Sequence, residues 1–466
     1  MLFSSKEELT ASMKGAAGIS DGCFRLEDEE KFRGSFLDQL TSNSVLNDNR
    51  EIKGFARYII KSAARELGII PSSIQKLYED RGQNKTGGYT VPALNIRGMS
   101  WQLSRAIFRA ANRTGSGAFI FEIAQSEIEY THQRPHELVS VILAAAIKEG
   151  HRGPVFIQGD HFQVSAKNYK NDREKEISRL KNLIREALDA GFYNIDIDTS
   201  TLVTLDPPTV KEQQKLNFEV GLELTKYIRE NEPEGVTVSV GGEIGEVGKT
   251  NSTEEELRTY MDNFNLNLAE TNPDYKGISK ISIQTGTSHG GVPLPDGSVA
   301  EVNLDFDTLE KLSRISREQY GLAGAVQHGA SNLPAELFHK FPELETAEIH
   351  LATDFQNMIY DSAHFPKEFK DEIYSYLRKE FASEKKDGWT DEQFIYKTRK
   401  KGFGNPHKPG FWSLPETVKD EIGKELETKI MFLFDKLNVG GTKDCAQNSR
   451  RPDWAPPRLE SELEYS

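Results

Sequence analysis

Several features that would place this chain in other protein classes are scarce or missing. It carries two cysteines in 466 residues, Cys23 and Cys445, far apart and in polar, turn-rich surroundings. That is too few for a disulfide framework and points to a reducing cytoplasm. No apolar run approaches the roughly 18 residues that a membrane span requires. The opening MLFSSKEELTASMKG becomes charged too early for a signal peptide. Basic charge is in deficit: 58 Lys and Arg against 72 Asp and Glu leave a net charge of −14. A phosphate backbone is gripped by clustered cations, so this balance disfavours nonspecific nucleic-acid binding and no nucleic-acid partner is expected. There is no internal repeat and no low-complexity tract.

What remains is an ordinary globular composition, 37% hydrophobic and 9% aromatic, on a chain long enough to bury a large core. The patterns FLDQL and FARYIIKSAARELGI repeat apolar residues at three and four spacing, which predicts an N-terminal helical segment over 1–86. After the glycine-rich break QNKTGGY, short apolar runs alternate with longer helical stretches. Eight strands are expected, ending near Ile96, Ala124, Asp160, Asp198, Glu243, Thr285, Gln327 and Thr353. Several of the intervening helical stretches stop at a glycine, the residue a left-handed C-cap needs.

Eight such units between 87 and 365 fit a (β/α)8 TIM barrel, whose active site lies at the C-terminal ends of the strands. A doubly wound open sheet would gather its ligand residues at one switch point. Here they spread over consecutive strand ends, which favours closure. Residues 366–466 form a helical C-terminal extension. Within it Ile422, Leu426, Ile430, Leu433 and Leu437 make a stripe that must pack on the barrel's flank or on a second subunit. The tail from Asn438 onward is expected to be loosely ordered.

Three histidines stand at strand ends: His161 in VFIQGDH, His289 in ISIQTGTSHGG and His328 in GAVQHGAS, with Glu243 in VTVSVGGEIG. Neutral imidazole is the commonest zinc ligand, and a catalytic zinc takes three protein ligands and keeps one position open. A lone histidine beside glycine is more often a turn residue, but three at successive strand ends favour a metal site. Glu243 is open between ligand, support of a ligand and loop stabiliser. Asp196 and Asp198 share one side of the fourth strand, as polarity inside the barrel or as substrate contacts. The other histidines, among them His132, His136, His151, His339, His364 and His407, read as surface or structural residues.

The ordered motifs YTVPALNI, GDH, AGFYNIDIDTS, GGEIGEVG, GTSHG, QHGAS and IHLATDFQ, from about Tyr89 to Gln356, together resemble the class II, metal-dependent ketose-bisphosphate aldolases. The resemblance implies a zinc-dependent lyase that cleaves a ketose bisphosphate such as fructose 1,6-bisphosphate into dihydroxyacetone phosphate and an aldehyde phosphate. His161, His289 and His328 correspond to the metal ligands, and Glu243 to the carboxylate that visits the metal or its surroundings. Asp160 corresponds to the acid that serves the substrate hydroxyl. Gly290, Gly329 and Ser331, with Thr353 and Asp354, fall where the family holds a substrate phosphate with amides and hydroxyls. Apart from the resemblance, Asn95 at the end of the first strand reads as orienting the active-site loop or as capping a turn. Another divalent metal would also suit a histidine-rich site, and a monovalent cation beside it stays open. The family is commonly dimeric or larger, so a homo-oligomer is expected.

The chain departs from the family pattern at three places. GKTNSTEEE, with Lys249 and Asn251, replaces the usual Gly-Gly-x-Glu-Asp loop, leaving Glu246, or else Glu254 or Glu255, for the second proton transfer. His350 stands where the family has an asparagine, as a substrate contact or an extra ligand, and Ala352 replaces an acid. The lysine expected after His289 is missing. These changes bear on the substrate more than on the metal. They leave an aldolase for another ketose phosphate, or a non-catalytic barrel subunit, as alternatives.

Overall fold

Strands buried on both faces and helices with one apolar stripe fold here into a closed sheet with a helical jacket. The computed structural model describes residues 2–20, 23–245, 250–286, 294, 304–330, 333–448 and 456–466. The strands are β1 (Val91–Asn95), β2 (Ile120–Ala124), β3 (Gly153–Gln163), β4 (Asn194–Asp198), β5 (Ser239–Glu243), β6 (Lys280–Ile283), β7 (Ala325–Gln327) and β8 (Glu348–Leu351). Each pairs in parallel with the next, and β8 pairs with β1, which makes a (β/α)8 barrel. Helices Ser100–Thr114, Arg173–Ala190 and Phe306–Tyr320 end at Gly115, Gly191 and Gly321, all at positive φ, as the sequence leads one to expect.

The N-terminal segment is more than helical. Its strand Ile69–Ser72 pairs with the first residues of β3, outside the ring. The next helix, Gln75–Gly82, plugs the foot of the barrel, where the Tyr78 hydroxyl donates to Glu348 inside. The fully buried Arg81 donates to the Ala323 and Thr346 carbonyls just before β7 and β8. A strand this short, and carrying Pro71, gives almost no period-two signal.

In the C-terminal extension, helix Glu416–Lys436 and Leu437 after it bury the whole predicted stripe, chiefly against helix Ser100–Thr114. The stripe therefore covers the barrel's own flank. Each of these side chains contributes roughly 1.5–3 kcal/mol by leaving water. The tail differs from expectation: helix Leu459–Glu464 docks on helix Arg50–Glu66, and Glu462 is buried against Lys61 (2.5 Å) and His136 (3.0 Å). Hidden ionic partners fix it where composition suggests only a polar end. Among the described residues no helix is long and apolar enough to cross a membrane.

Candidate active site

The interior of the barrel is polar at mid-height. Inward positions on four strands bring Gln158, Asp196, Lys280 and Glu348 together, with the Lys280 ammonium 2.7 Å from Gln158 Oε1, 3.0 Å from Asp196 and 2.6 Å from Glu348 Oε1. Burial opposes a charge there, but Asp196 and Glu348 overcome it and hold the lysine pKa above its usual value. An amine kept protonated in this way is not a Schiff-base nucleophile.

Above this layer lies a cavity of about 310 Å³ at the C-terminal ends of the strands. Its floor depends on an irregularity in β3. Two residues, Asp160 and His161, stand opposite the single residue Asp196 of β4, and His161 adopts φ +43°. Such a bulge breaks the up-and-down alternation of the strand, so consecutive side chains can both face the site. Asp160 Oδ1 lies 3.2 Å from His350 Nδ1, 3.5 Å from His328 Nε2 and 3.8 Å from His161 Nε2. The His161 and His328 rings are 4.3 Å apart, and those of His328 and His350 4.1 Å.

Each imidazole is aimed from behind. His161 Nδ1 faces Asp198 at 3.2 Å, which directs Nε2 into the cavity. His328 Nδ1 is hydrogen-bonded to the Ser282 hydroxyl (2.6 Å) with Glu243 3.7 Å away, so its Nε2 also points inward. Burial first, then the neighbouring His350 and His161, holds the His328 pKa far below normal, and neutral imidazole is the form that ligates metals. His350 lies between acids, Nδ1 2.8 Å from Glu122 and Nε2 2.7 Å from Glu348 Oε1. Burial works against its charge, yet Glu122 and Asp160 raise its pKa well above the ordinary value. Glu122 itself is pushed up to about 8, first by burial and then by Asp160, with His350 opposing.

Asp160, His161 and His328 offer ligand atoms within 4.8 Å of one another, and two imidazole nitrogens beside a carboxylate fit a divalent transition metal with an acid next to it. Glu243 sits on the outer side of His328, where it braces the ring, with its Oε1 accepting from the Gly245 amide at 2.7 Å. Asn95 lines the cavity and is fixed by Glu127 (2.6 Å) and Arg97 (3.0 Å). Gly329, His350 and Thr353 also line it. Asp354 does not join them: its carboxylate turns to Lys429, 2.7 Å away on the outer flank. Glu254 and Glu255 open helix Glu254–Thr271 beside the Thr253–Glu256 capping box, so they serve the helix start. Glu246, His289, Gly290 and Ser331 lie outside the described residues.

The sequence reading missed Glu122, Glu127 and Arg97, and also Tyr396, Lys397 and Lys400, which reach the cavity from the C-terminal extension. A signal existed for the first: Glu122 interrupts the apolar run FIFEIA, as Lys280 interrupts ISKISI. The extension's cations look like any charged helix.

The model of the family described as fructose-bisphosphate aldolase class-II matches residues 79–397, which include every strand of the ring and the described donor set. The chain belongs to this family. No curated protein matches it. Among solved structures, the fructuronate-tagaturonate epimerase UxaE from Cohnella laeviribosi shares its fold with a TM-score of 0.56 at 12% identity, covering 94% of this chain and 91% of that one. A fructose-bisphosphate aldolase from Campylobacter jejuni matches with a TM-score of 0.46 at 17% identity, over 80% of this chain and 97% of its own. The YdjI aldolase from Escherichia coli K12 matches with a TM-score of 0.45 at 14% identity, over 80% and 99%.

Proposed function

We propose that this chain is a zinc-dependent class II aldolase that reversibly cleaves a ketose bisphosphate, fructose 1,6-bisphosphate in the leading case, into dihydroxyacetone phosphate and an aldehyde phosphate. The observation that carries the reading is the convergence of His161, His328 and Asp160 at the strand ends of a family barrel. His161 and His328 would hold the metal, with His289 as the expected third ligand. The bound ion supplies Lewis-acid stabilisation of the oxyanion charge that develops in the transition state.

The chain's own groups move the protons and hold the frame. Asp160 accepts the proton of the C4 hydroxyl as C4 becomes a carbonyl and the C3–C4 bond breaks. The bonding pair stays with the three-carbon fragment, which then takes a proton at C3. Glu122, buried in the cavity wall against His350, is the described carboxyl best placed to supply it. Asp198, Ser282 and Glu243 keep the imidazoles oriented, and Tyr396 lines the cavity from the C-terminal extension. A cytoplasmic location and a homo-oligomer belong to the same proposal.

Elemental analysis with a cleavage assay tests it. One ion per chain, lost on dialysis against a chelator together with cleavage and restored with zinc, is the expected result. His328→Ala should lose both ion and turnover. Cleavage that survives complete metal removal overturns the reading, and a folded protein that binds no ion points to the non-catalytic alternative.

A second reading is favoured by one observation: the likeness to the epimerase takes in 94% of this chain, so it reaches the C-terminal extension beyond the family match. Fructose and tagatose configurations differ at C4, the carbon whose hydroxyl Asp160 would deprotonate. Breaking the C3–C4 bond and rejoining it on the other face of the aldehyde inverts that carbon, with no net change in atoms or electrons. Interconversion of the C4 epimers of a ketohexuronate, seen by NMR without release of fragments, selects this reading.

A further inference from the structure

We propose that Lys397 and Lys400, in front of Arg97, form a recognition site for a terminal anionic group, carboxylate or phosphate, on the sugar. The inference rests on the reading above for the sugar itself. Among the described residues, the cationic side chains lining the cavity apart from imidazoles are these three, and the same cavity holds His161, His328 and His350. One ligand can therefore touch both ends.

The three cations are not equivalent. Arg97 is committed to the protein: it meets Glu127 at 2.7 Å, Asn95 at 3.0 Å and Gln356 at 3.3 Å. Its charge is largely spent on Glu127. Lys400 is half-buried with its ammonium 5.8 Å from the centre of the Tyr130 ring, and among the described residues no carboxylate is in salt-bridge contact with it. Burial, then the nearby Arg97, pushes its pKa down, and burial does the same for Lys397. An arriving anion would offset that cost. At the imidazole end the cavity presents His161, His328 and Asp160, which the reading above gives to the metal and the reacting carbons. The layout thus gives the sugar a direction, with its anionic end toward the lysines of the extension.

The lysines are held where they are by close packing. Three residues apart, they share one face from helix Asp391–Thr398 into the turn Arg399–Phe403. Arg399 anchors that turn to Asp361 at 2.9 Å. Phe403 packs over Gly98, where any side chain would strike its ring, and Gly404 lies against the Tyr130 carbonyl with no room for a Cβ. Lysine ammonium groups act as point charges and accept carboxylate or phosphate alike, so the site specifies an anion before it specifies which one.

The test uses calorimetric titration of the metal-loaded full chain with fructose 6-phosphate, with its C6-carboxylate counterpart and with neutral fructose. Wild-type protein should prefer one or both acids over fructose, and the stronger of the two identifies the anion. In Lys397→Gln/Lys400→Gln that preference should fall about 10- to 100-fold, the size expected for charge-assisted hydrogen bonds. Affinity for fructose should hold, with an unchanged melting temperature to show that the fold is intact. Equal binding of acids and neutral sugar by the wild type overturns the proposal, as does a double variant that keeps its preference. If the preference exists and depends on these lysines but no ketose is cleaved or epimerised, the recognition site stands and the reading of the reaction fails.

Discussion

Replacing Lys280 by methionine isolates what the ammonium inside the barrel contributes. Lys280 is 1% exposed and Glu348 fully buried, so the substitution leaves Asp196 and Glu348 facing each other with His350 left to offset their charge. Breaking a buried ion pair by removing one partner costs about 3–5 kcal/mol. For a chain of 466 residues the unfolding entropy is about 1 kcal/mol per degree, so the melting temperature should fall by about 3–5 °C. The loss should depend on pH. Burial, reinforced by Glu348, already pushes Asp196 up to about 6 against the pull of Lys280, and without the lysine it must rise further. A carboxyl whose folded pKa lies above its unfolded value stabilises the fold at low pH and loses that contribution as pH rises through the folded pKa. The deficit should therefore be largest near pH 8 and shrink on acidification below 6. Scanning calorimetry of both proteins at the two pH values measures it. A deficit that grows with acidification, or a borohydride-trapped substrate adduct on Lys280 of the wild type, refutes the assignment of this lysine as a structural cation.

Two further perturbations probe groups away from the cavity. His151 is 4% exposed, packs 4.8 Å from the Phe108 ring and is pushed down to about 4 by burial. Unfolded histidine takes up its proton near 6.5, so stability should be lost as pH falls from about 6.5 to 4, by roughly 3 kcal/mol in all, and His151→Phe should flatten that slope in urea titrations. Glu462→Ala strips Lys61 of its buried carboxylate and should cost about 3–5 kcal/mol in denaturant midpoint while leaving turnover at 25 °C intact; a loss of turnover without a loss of stability would contradict the structural role.

Much of the ring was legible in the sequence because strand and helix periods alternate cleanly and the helices carry their stop signals. The strand ends fall within a residue or two of expectation, except β3, which runs on to Gln163 through its bulge. Asp160 and His161 could be placed at the site from their position at a strand end within the ordered set of motifs, but their shared orientation could not, since a bulge leaves no pattern in residue type. Asp354 was misplaced because one position along a helix turns a side chain about 100° away. The support of His350 by Glu122 joins β8 to β2, two strands distant in sequence, and nothing local announces it; Glu348, two positions before His350 on the same strand, is the local partner. The extension's part in the cavity was hidden for the same reason: DEQFIYKTRKK has the composition of a solvated helix, and only the fold brings Lys397 and Lys400 over the mouth.

The extra residue in β3 has a mechanical meaning. An open sheet can pass a surplus position along to its rim, but in a ring every strand is clasped on both sides and the surplus is locked in place. Removing either Asp160 or His161 would not merely delete one reactive group. It would restore strict alternation, rotate the survivor relative to its neighbours, and dismantle two functions with a single codon.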